Sequence, residues 1–435
     1  MGGKTLRLAS GLALVVGVAA LAASPAAANK GGSGHSKKDK SSVAEVKVLA
    51  TGLHNPRHLA LGSSHEILVA EAGQGGGLDC TTKVFTGPEG GPNCIGMTGS
   101  IARIDRKGKL TRIVTGLPSM GDAQTTADDD NDPTTPDVIV PGGGRSLGPS
   151  SVLRIGSHKI VATIGGPGPA GPGAIAAGND ITGLGTLQQF DTKKSRSHGH
   201  KSKVKAKVLA DLYAFETAND PDGQINGGSP GADSDVTDVT RFEGGYAVSD
   251  AGGNSVLLVK RKTISVLSTF EGIDVSPPPF LGLPDPFTAQ AVPTSVIRFK
   301  DDAEGDDTVL VSELTGFPFI PGAARIHRVD DHGNSTVFAS GFTNIMDLVR
   351  GKHGDLWVLS IDDDSLLPPI GPSTDGAIYR VSKKGVTTKL TLPAGTLTEP
   401  GGIEFDSRSN ALLVTNKGTH AEDGEVLQIR LPKGM

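Results

Sequence analysis

Six times along the chain, a short run of alternating apolar and polar residues leads through a Gly-rich or charged turn. A second, more apolar run follows and ends in a small or acidic residue. The copies are NPRHLALGSSHEILVAEAG from Asn55, GPSSVLRIGSHKIVATIGG from Gly148, DVTDVTRFEGGYAVSDAGG from Asp235, VPTSVIRFKDDAEGDDTVLVSELTG from Val292, NIMDLVRGKHGDLWVLSID from Asn344 and EPGGIEFDSRSNALLVTNKG from Glu399. A period of two, bounded by Gly, Asp, Asn and Ser, predicts two strands joined by a hairpin turn. Most copies lead into a second strand pair, such as GSIARIDRKGKLTRIVTGL from Gly99 or NSVLLVKRKTISVLSTF from Asn254. Two hairpins make a four-stranded antiparallel sheet, the unit of one propeller blade. The sixth copy is followed by one strand only, GEVLQIRLP, and the strand it lacks stands at the other end as AEVKVLATGL from Ala44. The pattern therefore predicts an all-β, six-bladed β-propeller closed by pairing of its N- and C-terminal strands, which hides sheet edges that an open array would leave bare. A β-sandwich does not explain six copies of one phrase, and a β-helix repeats over a shorter period.

The flanks read differently. Residues 1–28 have the form of a signal peptide: Lys4 and Arg7, then the apolar GLALVVGVAALAA at 11–23, then Ala26-Ala27-Ala28, which predicts export and cleavage after Ala28. The apolar run is short for a membrane span, so no stable membrane insertion is expected. Residues 29–43 are a polar linker, and 44–435 form the propeller domain. The net charge of −5 lacks the basic face of a nucleic-acid binder. The expectation is a secreted monomer whose partner is a small molecule or another extracellular ligand.

The two cysteines, Cys80 and Cys94, form an isolated close pair. In an exported chain such a pair predicts a disulfide, closing a loop of about 15 residues worth roughly 3 kcal/mol. The competing reading, a pair of metal-ligating thiolates, has no His or further Cys placed to complete a tetrahedral site. Insertions rich in Gly, Pro and Asp fall at 73–98, 119–147, 217–235 and 273–291, and a basic tip with His198 and His200 falls at 193–203. If these loops cluster on one face, that face is the binding surface. The acidic run at 128–132 lacks the Gly and Glu of an EF-hand loop.

Superimposing the six copies yields two columns of chemistry. The residue closing the second run is Glu71, Ile164, Asp250, Glu313, Ile361 or Asn416. Its oxygen donors, Glu71, Asp250, Glu313 and Asn416, are a candidate set for Ca2+ or another divalent cation at the channel mouth. The second column is His58, Ser151, Asp238, Ser295, Asp347 and Gly402, which adds two carboxylates and a histidine. No G-x-S-x-G, HExxH or Walker pattern occurs, so no cofactor or catalytic residue is assigned.

The stretch GLHNPRHLALGSSHEILVAEAGQGGG, Cys80, Cys94-Ile95-Gly96-Met97-Thr98-Gly99-Ser100-Ile101, TGLPS at 115–119 and GPSSV at 148–152 resembles the ScyD/ScyE family. The resemblance runs from about residue 45 to the C-terminus. It implies a propeller of the NHL or lactonase-like kind and brings no catalytic residue with it. Two functions follow as expectations: an extracellular binding or scaffolding protein, and, as the alternative, a divalent-metal-dependent lactonase-like hydrolase with its site at the central channel.

Overall fold

The structure is a computed structural model that describes residues 43–62, 65–75, 84–86, 92–126, 138–166, 183–193, 204, 206–223, 233–300, 307–368, 370–371 and 373–432. The signal and linker segments, Cys80, His198, His200 and the acidic run at 128–132 lie outside the described residues.

Six antiparallel sheets follow one another, each running from its first strand at the axis to its last at the rim. The first blade begins with Pro56–Leu61, Ile67–Glu71, Pro92–Ile104 and Leu110–Thr126. The second is Pro149–Arg154, Lys159–Ile164, Thr186–Asp191 and Ala206–Asp211. The third is Val236–Phe242, Gly245–Asp250, Ser255–Lys260 and Thr263–Thr269. The fourth is Pro293–Lys300, Asp307–Glu313, Ala324–Val329 and Ser335–Phe342. The fifth is Ile345–Arg350, Leu356–Ser360, Ala377–Val381 and Thr387–Lys389. The sixth joins Gly402–Asp406, Ala411–Asn416 and Gly424–Arg430 to the N-terminal strand Glu45–Leu53. That last pairing sets Val46 against Ile429 and Val48 against Leu427, so the chain ends close the ring as the strand count predicts. The six inner strands touch their neighbours in cyclic order, and the sixth touches the first.

The core lies between blades. Alternation gives each sheet two apolar faces, and six clusters fill the six clefts. Leu68, Ile101, Ile160 and Phe190 pack between the first and second blades, and Trp357, Leu412 and Ile429 between the fifth and sixth. Leu53, Val69 and Leu413 seal the joint between the sixth and the first.

Three expectations change. Within 119–147, backbone pairing of Met120 with Leu147 and Gln124 with Val140 adds Val138–Leu147 as a fifth strand. The VIV run at 138–140, bracketed by Pro and Asp, is the apolar signal that the surrounding acidic composition hides. The LADLYAF stretch ends its strand at Asp211, whose side chain accepts the Ala214 N–H at 2.9 Å and caps the helix α1, Leu212–Asn219. The 273–291 segment is a small hairpin, Ile273–Val275 with Phe287–Ala289.

Every inner strand starts at the same end of the ring. Connections from second to third strands, and from each blade to the next, therefore emerge on one face. The described residues that open and close the insertions at 73–98, 119–147, 217–235 and 273–291 stand at that face, while of the 193–203 stretch only Lys193 lies among the described residues.

Candidate functional site at the channel mouth

Blade entry is a repeated device. Asn55, Val292, Asn344 and Glu399, one residue before their inner strands or the Pro that precedes them, take left-handed φ of 47°, 55°, 43° and 43°. Asn suits this region; a β-branched Val there is strained and is held in place by its surroundings. The carbonyls of Asn55, Asp235, Val292 and Asn344 accept the N–H of the residue that follows the second strand: Ala72, Ala251, Leu314 and Ile361. This turns the chain sharply at the channel mouth.

Just past each entry the register slips by one residue, between Pro56 and Leu59, Pro149 and Ser151, Val236 and Asp238, Pro293 and Ser295, and Ile345 and Asp347. Such a slip places two successive residues toward the axis, where strict alternation would allow one. The first of each pair, Arg57, Ser150, Thr237, Thr294 and Met346, lines a cavity at the mouth. The second is the column His58, Ser151, Asp238, Ser295 and Asp347, which the structure does bring together.

That second column forms a network across the axis below the cavity. Asp238 Oδ1 accepts from Ser151 Oγ at 2.6 Å and the Val239 N–H at 2.7 Å. Its Oδ2 accepts from Ser295 Oγ and the Val296 N–H, each at 3.0 Å. Asp347 Oδ1 lies 2.8 Å from Ser295 Oγ and accepts the Leu348 N–H at 2.7 Å, while Oδ2 accepts the Ile403 N–H at 2.7 Å. His58 Nε2 is 3.5 Å from Asp347 Oδ1. All six blades contribute, the sixth through the backbone of Ile403, beside the column's Gly402.

The proton inventory of the network is informative. Both His58 nitrogens face acceptors only: Nδ1 the Ser150 carbonyl at 3.1 Å, and Nε2 the Met346 carbonyl at 3.4 Å and Asp347. A neutral imidazole has one N–H, so this setting calls for imidazolium. Burial opposes that charge, but the carboxylates of Asp347 and Asp238 outweigh it and raise the His58 pKa. Ser295 has one proton to share between two carboxyl oxygens, so a proton taken up by Asp347 would be held at this contact. Burial raises Asp347 to about 6, against the pull of His58. Burial likewise raises Glu404, on the sixth inner strand, to about 7, with Asp347 and Asp238 adding repulsion.

His58, Asp238 and Asp347 are close enough to share a cation. Their donor set does not fit one. Asp238 already accepts four hydrogen bonds, two per oxygen, and His58 turns both nitrogens to acceptors, so of the three only Asp347 Oδ2, with the single Ile403 donor, keeps a lone pair, too few to hold a metal. The cluster is a polar plug that staples the blades together.

The four members of the first column stand apart, each used by its own blade. Glu71 accepts Arg112 Nε at 2.9 Å and Nη2 at 2.8 Å, Ser100 Oγ at 2.5 Å and the His54 N–H at 2.9 Å. Glu313 is likewise bidentate with Arg325, at 2.7 and 2.9 Å, and meets His327 Nε2 at 2.8 Å. Asp250 accepts Ser234 Oγ at 2.6 Å and the Asp235 N–H at 2.7 Å. Asn416 Oδ1 accepts the Thr398 N–H at 2.8 Å, and its Nδ2 donates to Glu425 at 2.8 Å. Three of these four thus hold the segment that enters their own blade. Among the described residues, no group of His, Cys, Asp and Glu close enough to share an ion contains Glu71, Asp250 or Glu313. A bidentate arginine occupies the oxygens that a cation would need.

The cavity above the plug measures about 230 Å³. Apolar side chains, among them Leu147, Val292, Leu314 and Leu366, share it with Arg57, Arg145, Asp233 and Asp235. Arg57 donates to the Ser146 carbonyl at 2.8 Å. Burial, with Arg145 nearby, lowers Arg57 to about 10, so it stays a cation at neutral pH. Burial raises Asp233 to about 6, helped by Asp235 and Asp222. Asp235 is also raised by burial, against the Gly166 N–H and both arginines. Sequence reasoning missed this charged rim. The position before His58 in each copy carries the signal, since Arg57 stands where the others have Ser, Thr, Met or Gly.

Fold and site together define a six-bladed β-propeller with its axis plugged and a small mixed cavity at the loop-bearing mouth. No protein-family model matches the chain, and no curated protein does. Among solved structures it is similar to a catalytically inactive virginiamycin B lyase from Staphylococcus aureus, solved with quinupristin, at 12% identity over 88% of this chain and 99% of that one, TM-score 0.38. It is also similar to the PQQ-bound aldose sugar dehydrogenase of Streptomyces coelicolor, at 11% over 90% and 100%, TM-score 0.43. The WD40 β-propeller domain of Doa1 matches at 10% over 88% and 96%, TM-score 0.38. Among the described residues no helix is long and apolar enough to cross a membrane.

Proposed function

We propose that this protein is an exported ScyD/ScyE-like binding propeller that holds a small apolar molecule bearing an anionic oxygen group. The observation that carries the reading is the cavity itself, in which the guanidinium groups of Arg57 and Arg145, the carboxyls of Asp233 and Asp235 and an apolar lining share about 230 Å³. That volume lies just below the ~300–1,000 Å³ of sites for drug-sized ligands, which favours a small occupant. Arginine supplies a fixed fork for a carboxylate or similar oxyanion, and the apolar residues supply the burial. The lactonase-like alternative requires a channel cation with an open position. The channel carboxylates Asp238 and Asp347 already accept backbone and hydroxyl donors at every oxygen, which favours the binding role.

Benzoate is a suitable probe, with benzyl alcohol as its neutral counterpart. Titration calorimetry should show saturable benzoate binding, weaker binding of the alcohol, and about a tenfold loss of benzoate affinity in Arg145→Gln, the ~1.4 kcal/mol of one charged contact. Equal binding of both probes, or an unchanged affinity in the variant, contradicts the reading.

Export and the Cys80–Cys94 disulfide belong to the same proposal. Cys94 is fully buried, while Cys80 lies outside the described residues. Intact mass of the secreted protein should begin at Asn29 and rise by about two daltons on reduction, the two hydrogens of a cleaved S–S bond. A chain retaining residues 1–28, or a mass indifferent to reductant, removes these parts.

A further inference from the structure

Among the described residues one other group of carboxylates is close enough to share an ion: Glu216, Asp220 and Asp222, whose oxygens lie within 4.8 Å of one another. They stand at the C-terminal end of the helix α1, on the connection between the second and third blades. The placement contradicts the usual electrostatics. A helix C-terminus carries partial negative charge and favours cations, yet its last turn here has no basic residue. Asp220 is the C-cap, at φ 42°, ψ 66°, and the turn it makes brings Asp222 back toward Glu216.

A second observation concerns Glu216 alone. Its side chain is only 1% exposed, and its Oε2 is buried with no hydrogen-bond partner. A buried carboxylate oxygen without a donor is costly, and native structures rarely keep one without a use. The space around it is shaped by a missing side chain, since a Cβ at Gly253 would come within 2.8 Å of Oε2. Asn254 Nδ2 donates to Asp222 Oδ2 at 2.9 Å and fixes that carboxylate. Oxygens at most 4.8 Å apart fit around one ion bound at the ~2.4 Å of a calcium–oxygen bond, and calcium tolerates a site completed by water.

We propose that Glu216, Asp220 and Asp222 form a structural Ca2+ site that locks the connection between the second and third blades. The set contrasts with the axial plug: there every carboxylate oxygen of Asp238 and Asp347 has a donor, and here the buried Glu216 Oε2 has none. All three ligands are hard carboxylate oxygens on one stretch, Glu216-x-x-x-Asp220-x-Asp222-Gly223, so the ion ties the end of the helix to the turn after it. Magnesium, which demands near-ideal octahedral geometry and keeps its waters, suits this irregular set less well.

The test is calcium binding to the full mature chain by calorimetry, with thermal unfolding in EDTA and in millimolar CaCl2. Wild type should bind Ca2+ in preference to Mg2+ and unfold several degrees higher in calcium. Glu216→Gln should lose at least about tenfold in affinity, because one of three charged ligands is gone. In EDTA the same variant should unfold at or above the wild-type temperature, since it relieves carboxylate crowding; a merely structural Glu216 would instead lower it. Asp222→Asn should reproduce the calcium loss, while Asp347→Asn in the plug and Arg145→Gln in the cavity should bind Ca2+ like wild type. No calcium uptake at millimolar concentration, or full uptake by Glu216→Gln, overturns the proposal and leaves the cavity reading untouched.

Discussion

Asp238→Ala should lower the free energy of unfolding by about 3–5 kcal/mol, read as a fall in the urea midpoint at constant m-value. Truncating one member of a buried charged network strands its partners, and that cost sits at the top of the single-substitution range. Asp238 accepts two hydroxyl and two backbone donors from three different blades. Without it, the N–H groups of Val239 and Val296 and the hydroxyl of Ser151 lose that acceptor together. Asp238→Asn should be damaging too, because its amide turns N–H groups toward existing donors. The exposed pair Glu45–Arg430 offers a control at the joint: Glu45→Ala should change stability by less than about 0.5 kcal/mol. An Asp238→Ala loss below about 1 kcal/mol would mean that the plug does not hold the blades.

Raising the pH should weaken the fold over the range where most proteins are steady. Asp347 moves from 3.8 to about 6 and Glu404 from 4.5 to about 7, both chiefly through burial. The folded pKa is the higher one for each, so the native protein holds protons that the unfolded chain has released. Their stabilisation is complete below about pH 4 and is lost as the pH climbs through about 6 to 7. His58, also raised, acts in the same direction at somewhat higher pH. At about 1.4 kcal/mol per unit, these two carboxyls contribute at most roughly 6 kcal/mol between pH 4 and 8, and Asp233, Asp250 and Asp362, also raised by burial, act in the same direction. Exposed Asp105 and Asp330 shift downward and oppose this weakly, since water screens them. Urea titrations at pH 5 and pH 8 should show the lower midpoint at pH 8, and Glu404→Gln should flatten the trend. A midpoint that rises with pH would mean that these groups are ionised in the native state.

The architecture was legible because a propeller writes its period into the chain. The six strand pairs, their turns and the strand missing at one end and supplied at the other followed from alternation and counting. The site was legible only in part. The column of His58, Asp238 and Asp347 was found by superposition and does meet at the axis, but its chemistry depends on which lone pairs the backbone has already taken. That information lies in Val239, Val296, Leu348 and Ile403, whose N–H groups look alike in any sequence. The column of Glu71, Asp250, Glu313 and Asn416 misled for a related reason. Equivalent positions in a repeat share a local role, here anchoring within each blade, and need not share a location. Arg57 escaped notice because a register slip breaks the period of two at the place where cavity and plug separate. The helix α1 escaped because its eight residues follow directly on a strand.

The joint between Glu45–Leu53 and Gly424–Arg430 fixes the order in which the molecule can be completed. The strand Glu45–Leu53 finds its hydrogen-bonding partner only in Gly424–Arg430, about 380 residues later in the chain. Contacts so distant in sequence form slowly, and until they do an incomplete ring carries a bare strand edge on each side of the gap. A chain interrupted before Gly424 would keep those edges for good, so truncated copies should be marked for aggregation or proteolysis by the same strands that finish the intact protein.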